Sequence, residues 1–238
     1  MAPDGSDFRR LDPKGLPHHL ACSDWSPDGG SLLCQMSADA APDADGIYML
    51  RIDDLELERL TESPYHYTKG SAGECGGGDG RAMYSPDGTV IAFVRQKCGT
   101  GANPSADESA AIVLMNPDGT DQRELVAQGK VKSHPGSHIS WSPDGTSIAF
   151  GSQEGDLFHV DFETGVTTPI LLPNEVGAHH ADGPDWSPDG SRLVFSMFAE
   201  AQGDTELYTI ARDGSDLRQI TTGGGSEHWA RWGLPPTQ

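Results

Sequence analysis

Five residues, Trp25-Ser26-Pro27-Asp28-Gly29, constrain this chain more than any other stretch, because they return at Trp141 to Gly145 and at Trp186 to Gly190. Tyr84 to Gly88 is a near copy and Trp232-Gly233 a worn one. Each full copy runs into a short apolar stretch: Ser31-Leu32-Leu33-Cys34, Val90-Ile91-Ala92-Phe93, Ser147-Ile148-Ala149-Phe150 and Arg192-Leu193-Val194-Phe195. Ser-Pro-Asp-Gly suits a tight hairpin. Pro presets φ at the first corner, Asp bonds back to nearby amides, and Gly takes the left-handed conformation that closes the turn. The aromatic before the turn and the apolar run after it are therefore two antiparallel strands.

The aromatic positions are separated by 59, 57, 45 and 46 residues, the range in which self-similar all-β units are propeller blades of four strands. A sheet that small cannot bury both faces alone. It stacks on its neighbours, and an indole is well sized to fill the gap. No sustained 3.6-residue apolar period supports a helical solenoid. The chain begins with Pro3 to Leu11, which matches Arg212 to Ile220 near its end, the turn and outermost strand of a unit. The four units run from about His18 to Thr61, Arg81 to Val126, His138 to Ile170 and Pro184 to Thr221. The expected fold is an all-β propeller of four-stranded antiparallel blades, a single domain over residues 1–238. Four blades are full, and a reduced fifth is formed from both chain ends.

The aromatic-Ser-Pro-Asp-Gly pattern is followed by an apolar strand and by strands such as Gly46-Ile47-Tyr48-Met49-Leu50 and Glu206-Leu207-Tyr208-Thr209-Ile210. It ends in Leu57-Glu58-Arg59-Leu60-Thr61 and Leu217-Arg218-Gln219-Ile220-Thr221. The whole resembles the TolB-type propeller repeat and covers nearly the entire chain. The resemblance implies a fold and leaves activity open, because such propellers serve as binding platforms, peptidase gates and lyase bodies alike.

A net charge of −20 with no clustered basic patch excludes nucleic acid and anionic membranes as expected partners. No apolar run has the length of a membrane helix, and Met1 to Gly5 lacks the regions of a secretion signal. The expectation is a soluble monomer or homodimer without membrane insertion, cytoplasmic as it stands and periplasmic or secreted if a leader has been removed. There is no G-x-S-x-G, phosphate-binding glycine loop or H-E-x-x-H.

Histidine placement is the least expected feature. Seven positions before their aromatics stand His18, His134 and His179, with His180 adjacent to the last and His228 four positions before Trp232. On innermost strands these offsets point to one mouth of a central channel, where imidazoles can hold Zn, Mn, Fe or Ni. Asp24, Asp182 and Asp185 lie in the same approach and widen the choice to Ca, although bonds to amides of a neighbouring turn are the commoner use of such carboxylates. The arrangement is also similar to oligogalacturonate lyases, a resemblance that implies channel histidines and a metal assisting proton abstraction, with Lys130, Lys132 and Arg231 to meet a sugar carboxylate.

Two inserts lengthen the early units, one holding Tyr65, His66 and Tyr67 and the other running from Lys97 to Ser109. Loops on a rigid ring are where specificity usually resides. The functional expectation is a non-catalytic platform for a protein or peptide partner, contacted by Tyr65, His66 and Tyr67 and by the channel mouth, with no catalytic residues. The alternative is a metal-dependent uronate lyase or hydrolase built on the histidines. Cys22 and Cys34 flank the first hairpin and Cys75 and Cys98 occupy the inserts, so two disulfides and four thiols are both open readings.

Overall fold

The computed structural model describes residues 11, 20–36, 44–65, 68–71, 73–99, 102, 108–131, 138–152, 154–172, 179–199, 203–223, 225–228 and 230–233. They form four antiparallel sheets of four strands each, and no α-helix occurs among them. Sheet I comprises β1 (Leu20–Trp25), β2 (Ser31–Met36), β3 (Gly46–Arg51) and β4 (Leu57–Arg59). A small hairpin follows, β5 (Thr68–Gly70) with β6 (Gly73–Cys75). Sheet II contains β7 (Gly78–Tyr84), β8 (Ile91–Lys97), β9 (Ser109–Met115) and β10 (Arg123–Val131). Sheet III contains β11 (Ile139–Trp141), β12 (Ser147–Gly151), β13 (Leu157–Asp161) and β14 (Thr167–Leu171). Sheet IV contains β15 (His179–Trp186), β16 (Arg192–Ala199), β17 (Asp204–Ala211) and β18 (Arg218–Gln219). In each sheet the strands pair in chain order, so each unit is a meander.

The repeated pentapeptide closes the first hairpin of each sheet by the same bonds. In the first copy Ser26 Oγ donates to Asp28 Oδ1 at 2.6 Å, the Gly30 amide donates to the same oxygen, and the Ser31 amide donates to Ser26 Oγ. Asp87 with Ser85, Asp144 with Ser142 and Asp189 with Ser187 repeat the set. Gly29, Gly88, Gly145 and Gly190 all take φ between 68° and 73°, which a side chain would strain. The serine hydroxyls and amides hold all four carboxyls below their ordinary value, Asp189 down to about 2. The second strand of each hairpin is buried on both faces, as between stacked sheets; all five residues of β12 are buried.

The aromatic of each hairpin lies on the preceding sheet. Tyr84 joins Leu33 and Ile47 of sheet I. Trp141 joins Ala92, Val94 and Ile112 of sheet II, and Trp186 joins Ala149 and Leu157 of sheet III. Trp25 is the exception, 53% exposed against 6% for Trp141 and 4% for Trp186. It faces Leu32 across its hairpin, on the flank of sheet I where Leu11, Leu20 and Leu57 pack against Leu32, Cys34 and Leu50. Both disulfides are formed. Cys22–Cys34 joins facing residues of β1 and β2, and Cys75–Cys98 ties the β5–β6 hairpin to the end of β8.

Two outcomes follow from this packing. Trp141→Ala lowers stability by about 3–5 kcal/mol, whereas Trp25→Ala changes it by about 1 kcal/mol or less, both read by denaturant unfolding. The depressed hairpin carboxyls contribute stability that is complete above the ordinary carboxyl pKa of 3.8 and is lost as pH falls through about 2, so acid unfolding followed by circular dichroism is steepest in that interval.

Candidate functional site

The first strands of successive sheets touch one another, β1 with β7, β7 with β11 and β11 with β15. These edges converge, and the residue just before each aromatic stitches them together. The Tyr84 amide of sheet II donates to Asp24 Oδ2 of sheet I at 2.9 Å. The Trp186 amide of sheet IV donates to Ser140 Oγ of sheet III at 3.3 Å. The Trp232 amide donates to Asp185 Oδ2 of sheet IV at 2.8 Å, so the C-terminal segment takes the place of a further first strand. Asp24 and Asp185 therefore cap the amide of the next unit's strand, not that of a neighbouring turn.

Around these bonds lies a cluster of mixed charge. Arg231 donates to Asp185 Oδ1 at 3.0 Å and, through Nη2, lies 3.3 Å from His138 Nδ1. A guanidinium only donates, so Nδ1 accepts and a neutral His138 carries its proton on Nε2. Burial first, then the charges of Arg81 and Arg231, hold His138 down to about 4, against the smaller upward pull of Asp182. Burial lowers Arg81 as well, and Asp182 opposes that shift. Burial raises the Asp24 carboxyl, while the Tyr84 and Trp25 amides and Arg231 pull it down. Side chains from all four sheets and from the C-terminal segment thus share one electrostatic neighbourhood: Asp24, Arg81, His138, Asp182, Asp185 and Arg231.

Backbone irregularity sets which side chains enter it. β1, β7 and β15 each carry a register shift, between Cys22 and Asp24, Gly80 and Met83, and His179 and Ala181. Arg81 and His180 sit in these shifts with φ of 55° and 59°. Bulges of this kind re-aim a side chain. Arg81 was not singled out as a site residue from sequence; its only signal is that it stands three positions before Tyr84, as His138 stands three before Trp141.

Of the residues expected to form a metal site, His18 and His134 lie outside the described residues, as does the side chain of His179. His180 is exposed on β15, and His228 lies in the C-terminal segment. Among the described residues no three His, Cys, Asp or Glu side chains gather as a metal-binding group. Arg231 is in the cluster. Lys130 is exposed on β10, the edge strand of sheet II farthest from β7, and Lys132 is not described. In the first insert Tyr65 is half-buried with Lys97 Nζ 5.8 Å from its ring centre, while His66 and Tyr67 are not described. Beneath that insert Arg95 grips Asp79 through two bonds of 2.7 and 2.8 Å. Burial and the Asp79 charge push the neighbouring Asp45 carboxyl up to about 7.

Asp185 is the hub of the C-terminal seam, accepting from Arg231, Trp232 and Ser140. Asp185→Ala raises amide hydrogen exchange at Trp232 about 10-fold or more and leaves the strands of sheet II unchanged, as read by exchange mass spectrometry.

No family model matches the chain, and no curated protein matches it in sequence. Solved structures do match it. TolB from Acinetobacter baumannii superposes with a TM-score of 0.63 at 15% identity, over 89% of this chain and 45% of that one. A chain of a nidogen/laminin complex gives 0.56 at 10% identity, over 82% and 60%. An oligogalacturonate lyase in complex with manganese gives 0.50 at 15%, over 92% and 70%. The chain thus spans less than half the length of the TolB chain. At these identities the likeness shows the fold alone, a TolB-like propeller arrangement of four-stranded antiparallel sheets.

Proposed function

We propose that this protein is a non-catalytic β-propeller platform that binds a protein or peptide partner, with the mouth of the converging first strands and the insert carrying Tyr65 as contact surfaces. The observation that carries the reading is the cluster of Asp24, Arg81, His138, Asp182, Asp185 and Arg231, drawn from every sheet. Its arginines and carboxylates offer both donors and acceptors to an incoming polar chain, held by backbone that is tied from sheet to sheet. His66 and Tyr67 belong to the same proposed insert surface. The disulfide Cys75–Cys98 anchors the insert, which lowers the ordering cost of binding through it. Two disulfides suit an oxidising compartment, periplasmic or extracellular.

The reading includes ring closure through a reduced fifth blade made from both chain ends. Two contacts support it: Leu11 packs on the outer flank of sheet I, and Trp232 bonds Asp185 as a next blade's strand does. The histidine metal site built on His18, His134, His179, His180 and His228 remains the competing proposal, and with it a metal-dependent uronate lyase or hydrolase. The arginines beside His138 oppose a bound cation at that point of the cluster.

Photo-crosslinkers placed at Tyr65 and at Arg231 and exposed to extract of the source cell capture the same protein, and Tyr65→Ala weakens its binding about 10-fold. Capture no greater than from a crosslinker at Lys130 overturns the platform. So does stoichiometric Zn, Mn, Fe, Ni or Ca that is lost on replacing His134 and His179 by Ala.

A further inference from the structure

The repeated hairpins create one cleft between each pair of neighbouring sheets, and the protein itself shows what fits such a cleft. Between sheets III and IV the occupant is Arg212. Its guanidinium lies 5.2 Å from the ring centre of Trp186. It donates to Asp144 Oδ2 at 3.1 Å, to Ser147 Oγ at 3.1 Å and to Thr146 Oγ1 at 3.4 Å. A carboxylate, a hydroxyl row and an indole face thus form a guanidinium receptor, filled from within the chain.

The cleft between sheets II and III has the same frame with its cation missing. By repeat position Asp87 and Thr89 stand for Asp144 and Thr146, and Trp141 stands for Trp186. Phe162 stands where Arg212 does and meets the Trp141 ring edge-on at 5.3 Å. An open cleft of about 320 Å³ remains, lined by both Asp87 and Asp144 and by no Lys or Arg. Ser85, the Thr89 amide and the Thr89 hydroxyl all donate to Asp87 Oδ1. The Oδ2 edge, which at Asp144 receives Arg212, faces no protein donor at Asp87. The hydrogen-bonded turn keeps Asp87 ionised, since its carboxyl is held below the ordinary value. Arg123 lies over the Phe162 ring at 5.7 Å and does not line the cleft. Val90 replaces Ser147, so one acceptor of the filled cleft is absent.

From this comparison we infer that the cleft between sheets II and III is a docking site for an arginine side chain on an extended segment of a partner protein. The guanidinium sits between Asp87 and the Trp141–Phe162 wall as Arg212 sits between Asp144 and Trp186. The next cleft toward sheet I shares Asp87 and is lined by Asp28, Tyr84 and Pro117, which gives the segment a second place to lie; there Arg51 already supplies a cation. The overall charge of −20 favours a basic partner. The site lies at the turns that follow the first strands and is independent of the mouth cluster, so it stands or falls apart from the platform reading above.

The test uses N-acetyl-arginine amide as probe and the indole N–H resonances of Trp141 and Trp186 as reporters, each assigned by its loss in a Trp→Phe variant. In the unsubstituted protein the probe shifts the Trp141 signal saturably, and the citrulline analogue, equal in shape but uncharged, binds about 10-fold more weakly or less. Asp87→Asn weakens the probe by a similar factor, and Phe162→Arg, which fills the cleft from within, abolishes its binding. Arg212→Ala vacates the neighbouring cleft and adds a second saturable shift at Trp186. Equal binding of arginine and citrulline analogues overturns the inference. So does a Trp186 response in Arg212→Ala without any Trp141 response in the unsubstituted protein, and both comparisons hold even if Asp87→Asn disturbs its turn.

Discussion

The structure depends on one contact made repeatedly: an aromatic side chain at the end of a sheet's first strand lies on the sheet before it. A four-stranded sheet of this length leaves two apolar faces, and only stacking covers them. Tyr84, Trp141 and Trp186 each close one such interface. The polar bond from the aromatic's own amide to Asp24, Ser140 or Asp185 then fixes how far the sheets slide past one another. The hydrophobic term supplies most of the stabilisation, and the hydrogen bond supplies register.

The same arrangement produces the candidate sites without further devices. Drawing the first strands together brings residues far apart in sequence, Asp24 and Arg231 among them, into one field. The mouth cluster arises from that convergence and the turn clefts from the spacing between stacked hairpins. A binding surface on such a frame is rigid because the stacking that makes it also holds the core.

The fold was legible in the sequence because the pentapeptide combines a turn whose chemistry is local with an aromatic whose burial is obligatory. The unit limits were correct to a few residues; β10, for example, continues to Val131 where sequence placed its end at Val126. The candidate site was legible only in part. Asp24, Asp185 and Arg231 announced themselves by standing next to a repeated Trp, although their bonds run to the following unit's strand and not to a turn. Arg81 escaped notice because its entry depends on a bulge with positive φ, which no residue-type pattern encodes. Lys130 was assigned to the mouth by proximity in sequence to β11, and the meander carries it instead to the far edge of sheet II. The cleft filled by Arg212 had no sequence signature, since it is defined by what stands in one unit and is replaced in the next.

One of the junctions is built differently. At the place held by Asp24, Ser140 and Asp185, sheet II has Met83, which has no oxygen to offer the amide of Trp141. The seam between sheets II and III therefore relies on its apolar cluster, in which Ala92, Ile112, Trp141 and Phe150 meet. Burial of that kind weakens on cooling, whereas the polar stitches at the other seams do not share its temperature dependence. Chilling thus singles out the middle of the array, dividing the molecule into two pairs of sheets with unlike thermal responses.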